Sequence, residues 1–432
     1  NYRGIMLTSI AAKITNKMIL NRIQPTIDRL LRPNQNGFRP GRSTTSQILA
    51  LRRLIEGVLN YNLEAIIIFV DFRKAFDSIH RGKLMNILRA YGIPDILVDV
   101  INILHQNTRA RVLTPDGETE LFNITAGVLQ GDTLAPYLFA IVLDYVMRET
   151  LGNQELELGF ELERRKSRRN PPVVINDLDF ADDIALLAQK LQQAQELLLR
   201  MENEAGKVGL HLNAKKTKMM TFNLKIPAII QTRSGDTVEV VKNFKYLGSQ
   251  MENSETDFGV RKALAWNSCH KLSKIWKSQL PRRIKVRLFI ATVESVLLYG
   301  SETWTLTKSL EKRLNGCYTR MLRMCLNVSW QQKLTNQQLY QDLPSVAKKV
   351  QQRRMKLAGH CIRHPEIPAH YLVLWEPTTK GKRSRGRPRV TYLDNLRSDT
   401  NLQDTKELRR AMEDKVLWRE LSGLVRAGAR TK

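Results

Sequence analysis

Cysteine is scarce in this chain. Its four residues, Cys269, Cys317, Cys325 and Cys361, are scattered through 432 positions with no Cys-x-x-Cys pair. That excludes a disulfide framework and fits a reducing intracellular setting. Cys317, Cys325, His360, Cys361 and His364 are too irregularly spaced for a zinc knuckle, so the expectation is buried thiols and no zinc. No apolar run approaches the roughly 20 residues of a membrane span; no signal peptide and no internal repeat is evident, and no membrane partner is expected. Acidic residues are in deficit, with 42 Asp plus Glu against 69 Lys plus Arg, a formal net charge of +27 and a pI near 10.1. A polyanion is the natural partner, bound with little sequence preference and steep salt sensitivity because counterions are released. Charge alone also suits ribosomal or chromatin proteins. The 42% hydrophobic share is enough for large cores, and the length suggests two to four domains.

Against these absences stand two short apolar runs that carry acids. Ala65-Ile66-Ile67-Ile68-Phe69-Val70 is continuous and β-branched, which reads as a strand covered on both faces, with Asp71 emerging at its carboxyl end. Val173 to Phe180 and Ile184 to Ala188 are separated by Ala181-Asp182-Asp183, a length that suits a tight hairpin with acids at its tip. A lone Asp-Asp pair is most often a solvated turn; the joint arrangement, with Asp71 at another strand end, shifts the odds. Hard divalent ions prefer oxygen ligands, and Mg²⁺ held by few carboxylates keeps positions open for water and phosphates. Three such acids suit two ions about 3.5–4 Å apart, one activating the attacking oxygen and one stabilising the leaving oxygen of an in-line phosphoryl displacement.

Further segments follow in fixed order: Ile10 to Lys13 through Asn21-Arg22-Ile23, Asn36-Gly37-Phe38-Arg39-Pro40-Gly41-Arg42-Ser43-Thr44, Phe69 to Asp77, Gly127 to Pro136, Phe180-Ala181-Asp182-Asp183, Gly209 to Asn213 with Lys215-Lys216-Thr217, and Phe244 to Gly248. In that order the chain resembles the reverse transcriptase of non-LTR (LINE-type) retrotransposons, the endonuclease-reverse transcriptase family. Gly359-His360 and Gly386-Arg387-Pro388-Arg389 resemble that family's tail. The resemblance implies an α+β right-hand polymerase fold with fingers, palm and thumb, an antiparallel palm sheet, and a helical, basic C-terminal region. It implies synthesis of DNA on an RNA template from a primer 3′-hydroxyl, with Asp71 and Asp182 binding two Mg²⁺ ions and Asp183 supporting them; Mn²⁺ is a possible substitute. The implied partners are element RNA, a nicked chromosomal DNA primer and dNTPs. Action would be nuclear, after assembly with RNA in the cytoplasm.

By the same resemblance, Lys13 and Arg39 would contact the triphosphate from the fingers, and Phe72 and Phe76 would border the nucleotide. Phe76, five residues after Asp71, would close the sugar pocket and clash with a ribose 2′-hydroxyl; core packing is the common fate of such a Phe, and both can hold. Gln130 and Gly131 precede a helix over Leu134 to Met147 with Pro136 in its first turn, where a missing N–H costs little; the matching glutamine lies near the incoming dNTP and template. Thr133 and Ala135 depart from the family's more usual residues. Arg42 suits phosphate through its planar fork or is simply a solvated part of a basic loop. Lys216 would approach the leaving pyrophosphate. Leu191, Ala194, Leu198, Met201, Ala205 and Val208 recur at helical spacing and read as core.

Beyond about residue 250 the pattern turns helical, over Val260 to Lys277, Arg282 to Leu298 and Ser309 to Leu326. Trp266, Trp276 and Trp304 are either base-stacking rings or core, the commoner fate in helices. Lys380 to Arg389 has almost no apolar content and cannot bury itself; Lys382, Arg383, Arg385, Arg387 and Arg389 are its candidate nucleic-acid contacts. Arg385-Gly386-Arg387-Pro388 also resembles an AT-hook core, with a nuclear-localisation patch or an RNA clamp as plainer readings. The expected division is fingers and palm over 1–250, thumb over 251–345 and a basic region over 346–432. The first residue is Asn1, so a fragment lacking the family's endonuclease domain is expected. The rival expectations are an inactive relic that binds RNA, and an RNA polymerase of the same fold.

Overall fold

The computed structural model describes residues 8–115, 117–129, 131–165, 167–377 and 388–423. The elements that matter for function are α1 (Ile10–Leu30), α2 (Thr44–Tyr61), β1 (Ala65–Val70), α3 (Ala135–Leu151), β2 (Asp177–Phe180), β3 (Asp183–Ala188), α4 (Leu191–Lys207), β4 (Lys218–Phe222) and β5 (Glu239–Val240). Packing divides the chain into two units, residues 1–44 with 63–242, and residues 45–62 with 243–432. Apolar α2 thus belongs with the C-terminal helices, a division that consecutive segments could not express.

The first unit is built on a five-stranded sheet of order β5-β4-β1-β3-β2. β1 is central and all six of its residues are buried, as its unbroken apolar run requires. β1 pairs antiparallel with β4 and β3, and β3 with β2. The short edge strand β5 runs parallel to β4, so the sheet is not wholly antiparallel as expected. α4 presents Ala194, Leu197, Leu198, Met201 and Ala205 to the core, packing on β1, β3 and α3. Each fully buried Leu or Met there contributes roughly 1.5–3 kcal/mol. α3 is apolar nearly all round and accordingly buried along its length, with Pro136 in its first turn.

The second unit packs α2 with α5 (Ser254–Lys271), α6 (Lys308–Cys325) and α7 (Val346–Ile362). α5 starts earlier than its apolar spacing suggests because the Asn253 side chain caps it, accepting the Thr256 N–H at 2.8 Å. Trp276 and Trp304 are core residues with Phe258, Phe289, Leu314, Tyr318 and Met321. Buried Asp257 gathers Arg52 at 2.8 Å, the Trp304 indole N–H at 2.8 Å and the Gln250 N–H at 3.0 Å. A single π turn, Ile290–Glu294, interrupts the predicted helix beyond Arg282 and turns Glu294 inward, where it accepts from Tyr318 Oη and Lys349 Nζ, both at 2.6 Å. All four cysteines are free and buried; burial pushes the Cys269 thiol up to about 11 and those of Cys325 and Cys361 to about 12. Among the described residues no helix is long and apolar enough to cross a membrane.

Candidate active site

The sheet register gathers the acids that the sequence singled out. Val70 pairs with Ile184 across β1 and β3, so one further step along the ladder sets Asp71 opposite Asp183. β2 and β3 are joined by a two-residue turn, Ala181-Asp182, closed by the pair Phe180 and Asp183. Asp183 therefore begins β3 instead of sitting in the turn. Ala181 adopts a left-handed backbone, φ 56°, unusual for a residue with a Cβ. Asp71 and Asp182 are half-buried and Asp183 is exposed. The Asp71 backbone is fixed on both sides, donating to Thr217 Oγ1 at 3.3 Å and accepting the Asn213 N–H at 2.8 Å. Its carboxylate Oδ2 lies 3.7 Å from Lys216 Nζ and is buried without a hydrogen-bond partner. An orphaned carboxylate oxygen at the end of a rigid strand, with two more acids across the ladder, is a donor set suited to hard divalent ions. The side chains are not gathered into a ready cage, since among the described residues no three His, Cys, Asp or Glu groups converge to hold a metal ion.

The turn is braced by residues 143–146 positions away. Asn36 donates its N–H to Asp179 O at 2.9 Å, and Asp179 returns one to Asn34 O at 3.2 Å, so this segment runs as a short parallel partner of β2. Buried Gln35 accepts the N–H groups of both Gly37 (2.7 Å) and Ala181 (2.9 Å) through one oxygen, and its amide donates to Ala181 O at 3.4 Å. Gly37 is needed because a Cβ there would stand 2.8 Å from Ala181 Cα and closer still to its nitrogen. Beneath the brace, Arg32 forks onto Asp177 at 3.1 and 2.5 Å and lies 4.0 Å from Asp179, all three side chains buried. Burial works against charging Arg32, but Asp177 outweighs it and holds the guanidinium protonated. Burial, then the charge of Asp177, raises the Asp179 carboxyl well above the usual range.

This arrangement changes the reading of the basic loop. Arg39 is buried, with Nε on Asp28 at 2.7 Å, Nη1 on the carbonyls of Arg32 (2.7 Å) and Gln35 (2.9 Å), and Nη2 on Asp28 O at 2.6 Å. Its donors satisfy backbone that the loop would otherwise leave unpaired, so it supports the brace and is not presented to a triphosphate. Arg42 is half-buried, 3.2 Å from Asn36 Oδ1 and 3.4 Å from Pro33 O. Lys13 is exposed on α1.

On the other side of Asp71, Phe72 is buried and bridges backbone to Leu212. Phe76 is half-buried and stacks on Phe139, ring centroids 4.4 Å apart and 16° from parallel. The 127–128 backbone lies against it, Val128 N–H to Phe76 O and Gly127 N–H to Ile79 O, each 2.8 Å. A Cβ on Gly127 would meet the Asp77 backbone at 2.7 Å. Arg81, which sequence reasoning passed over, ties this region together through the carbonyls of Gly127 (3.0 Å), His105 (2.5 Å) and Ile124 (2.8 Å). Gly131 is exposed with φ 110°, and Gln130 lies outside the described residues. Lys382, Arg383, Arg385 and Arg387 also lie outside them; Arg389 is described, exposed, in the second unit.

With this geometry in place, comparison with known proteins is decisive at the family level. The description "Reverse transcriptase (RNA-dependent DNA polymerase)" matches residues 1–251. The chain belongs to the reverse transcriptase family. Its fold is therefore the right-hand polymerase fold, with the sheet of the first unit as its palm. Among its relatives is the retrovirus-related Pol polyprotein of the type-2 retrotransposable element R2DM of Drosophila melanogaster, 28% identical over 216 residues, which are 50% of this chain and 19% of that protein. The type-1 element R2 Pol polyprotein of Popillia japonica is 25% identical over 341 residues, 76% of this chain and 45% of that one. A Drosophila melanogaster protein named for the RNA-directed DNA polymerase of transposon BS is 24% identical over 403 residues, 89% of this chain and 42% of that protein. The chain thus spans less than half the length of each of these three. Among solved structures, a telomerase from Candida albicans aligns at 11% identity and a TM-score of 0.38 over 85% of this chain and 56% of that one, a likeness too distant to carry weight.

Proposed function

We propose that this chain is the polymerase portion of a non-LTR retrotransposon protein, extending a DNA primer 3′-hydroxyl with dNTPs on an RNA template, in target-primed synthesis at a nicked chromosomal site in the nucleus. The observation that carries the proposal is the strand register that sets the Asp71 position beside the Ala181-Asp182 turn at one end of the sheet, in a chain of the reverse transcriptase family. Asp71 and Asp182 would hold two Mg²⁺ ions and Asp183 would support them. When bound, the ions would supply charge stabilisation for an in-line phosphoryl transfer.

The chain's own groups do the rest. The braced Ala181-Asp182 turn and the doubly anchored Asp71 backbone fix the acids before substrate arrives, which is where most of the advantage of an ordered site lies. Phe76, stacked on Phe139, would present a ring edge where a ribose 2′-hydroxyl would sit and so favour deoxynucleotides. Lys216, exposed beside Asp71, would neutralise or protonate the leaving pyrophosphate. Lys13, Gln130 and Gly131 would border the nucleotide, and Arg42 and the basic residues from Lys382 to Arg389 would hold nucleic acid by charge. Primer extension on poly(rA)/oligo(dT) with Mg²⁺ tests this reading: extension by the parent and none by Asp182→Ala is expected. Equal signal from both, or none from either, would leave an RNA-binding relic, and preferential UTP incorporation would make the chain an RNA polymerase.

A further inference from the structure

Trp330 is 85% exposed, while Trp276, Trp304, Trp375 and Trp418 are buried and Trp266 is half-buried. An indole left this far in water forgoes a large apolar burial, and the surrounding chain had the means to bury it. Val328 and Leu334, on either side, do pack against the core of the second unit. Trp330 begins a short 3₁₀ turn, Trp330–Gln332, between two left-handed residues, Asn327 (φ 54°) and Lys333 (φ 44°). Both ends of the loop are pinned by one side chain and its backbone: the Arg323 carbonyl accepts the Val328 N–H at 3.0 Å, and Arg323 Nη2 donates to Leu334 O at 2.7 Å and Asn336 Oδ1 at 3.0 Å. The ring is held out by an ordered loop with apolar feet.

The stretch of chain that carries it selects the partner. No carboxylate occurs between Glu311 and Asp342, while Lys312, Arg320 and Lys333 lie in that stretch and are exposed. Within the loop the other exposed side chains are polar, Asn327, Ser329, Gln331 and Gln332, so the loop itself offers no second apolar anchor of the kind a protein interface clusters. An exposed aromatic face in a loop of amides, with a lysine and no acid in the loop itself, is the chemistry that receives an unpaired base: stacking on the ring, amides at the base edge, a cation for the backbone. We propose that Trp330, in the second unit, is a stacking site for single-stranded nucleic acid, a reading independent of the catalytic one.

Anisotropy titrations of the full chain with 12-nucleotide oligo(rA), oligo(dA) and a blunt DNA duplex test it, using Trp330→Ala and Trp330→Phe. Because the side chain is exposed, both variants should melt with the parent. Trp330→Ala should bind the single strands about 5- to 150-fold more weakly, the weight of one base stack, with Trp330→Phe close to the parent and duplex affinity unchanged. A loss confined to oligo(rA) or to oligo(dA) would identify the strand it serves. Parent-like binding of oligo(rA) and oligo(dA) by Trp330→Ala, or an equal loss on duplex, would overturn the proposal. So would a Trp330→Ala variant that alters only the sedimentation of the protein, which would make the ring a self-association contact.

Discussion

Gly37→Ala places a methyl carbon 2.8 Å from Ala181 Cα, closer still to the Ala181 nitrogen, and 2.9 Å from Gln35 Oε1. Two of these three atoms are backbone, in a turn already in a left-handed conformation, so no side-chain rotation relieves the contact. Overpacking of this kind costs about 1–3 kcal/mol, which in a domain of roughly 150–250 residues lowers Tm by about 2–12 °C. The cheaper escape is to push the Ala181-Asp182 turn away from the brace, and a displacement of about 1 Å at a reacting centre lowers a rate about 100-fold. Primer extension and thermal melting should therefore separate: a modest fall in Tm, a large fall in extension, and unchanged affinity for template-primer. Gly206→Ala is the control, since a Cβ there, in the last turn of α4, meets nothing within 4 Å. If Gly37→Ala matches Gly206→Ala in both assays, the brace does not set the turn and the reasoning fails.

Arg32→Met should destabilise by about 3–5 kcal/mol, because it strands the buried Asp177 carboxylate; denaturant midpoints measure it, and a change below about 1 kcal/mol would show that Arg32 is not its counterion. The raised Asp179 pKa means the folded chain holds that proton more tightly than the unfolded one, so its stabilisation is complete below the ordinary aspartate range, near 3.9, and is lost as pH rises through the folded value. Asp179→Asn should accordingly gain on the parent with rising pH, by up to about 1.4 kcal/mol per pH unit within that window; parallel stability curves between pH 4 and 8 would contradict it. Phe76→Val should raise UTP incorporation relative to dTTP by about 10-fold or more, the scale of one steric misfit, and an unchanged ratio would remove Phe76 from sugar selection.

The sequence was most legible where structure is local. β1 could be read from its unbroken run, the hairpin from two apolar segments around a short polar gap, and α4 from spacing that recurs over five turns. The positions of Asp71 and the turn acids at strand ends could be read because strand ends are visible in a sequence even when strand pairing is not. What stayed hidden depends on contacts between distant segments. Nothing near Gln35 announces that its amide closes on Ala181, and nothing near Arg32 announces Asp177, each pair about 145 residues apart. Arg39 shows the cost of that blindness: an arginine in a Gly-rich basic loop looks like a phosphate ligand until the carbonyls it satisfies are known. β5, only two residues long, carries too little pattern to reveal a parallel pairing, and α2 gives no sign of the unit it joins.

The central claim is that Asp71 and Asp182 together hold the ions of nucleotidyl transfer. Electron paramagnetic resonance of Mn²⁺, titrated into the chain with template-primer and a non-hydrolysable dNTP analogue, counts those ions without turnover. Two tightly held ions in the parent, with marked loss in both Asp71→Asn and Asp182→Asn while template-primer stays bound, is the predicted result. The same ion count in parent and variants would contradict the account.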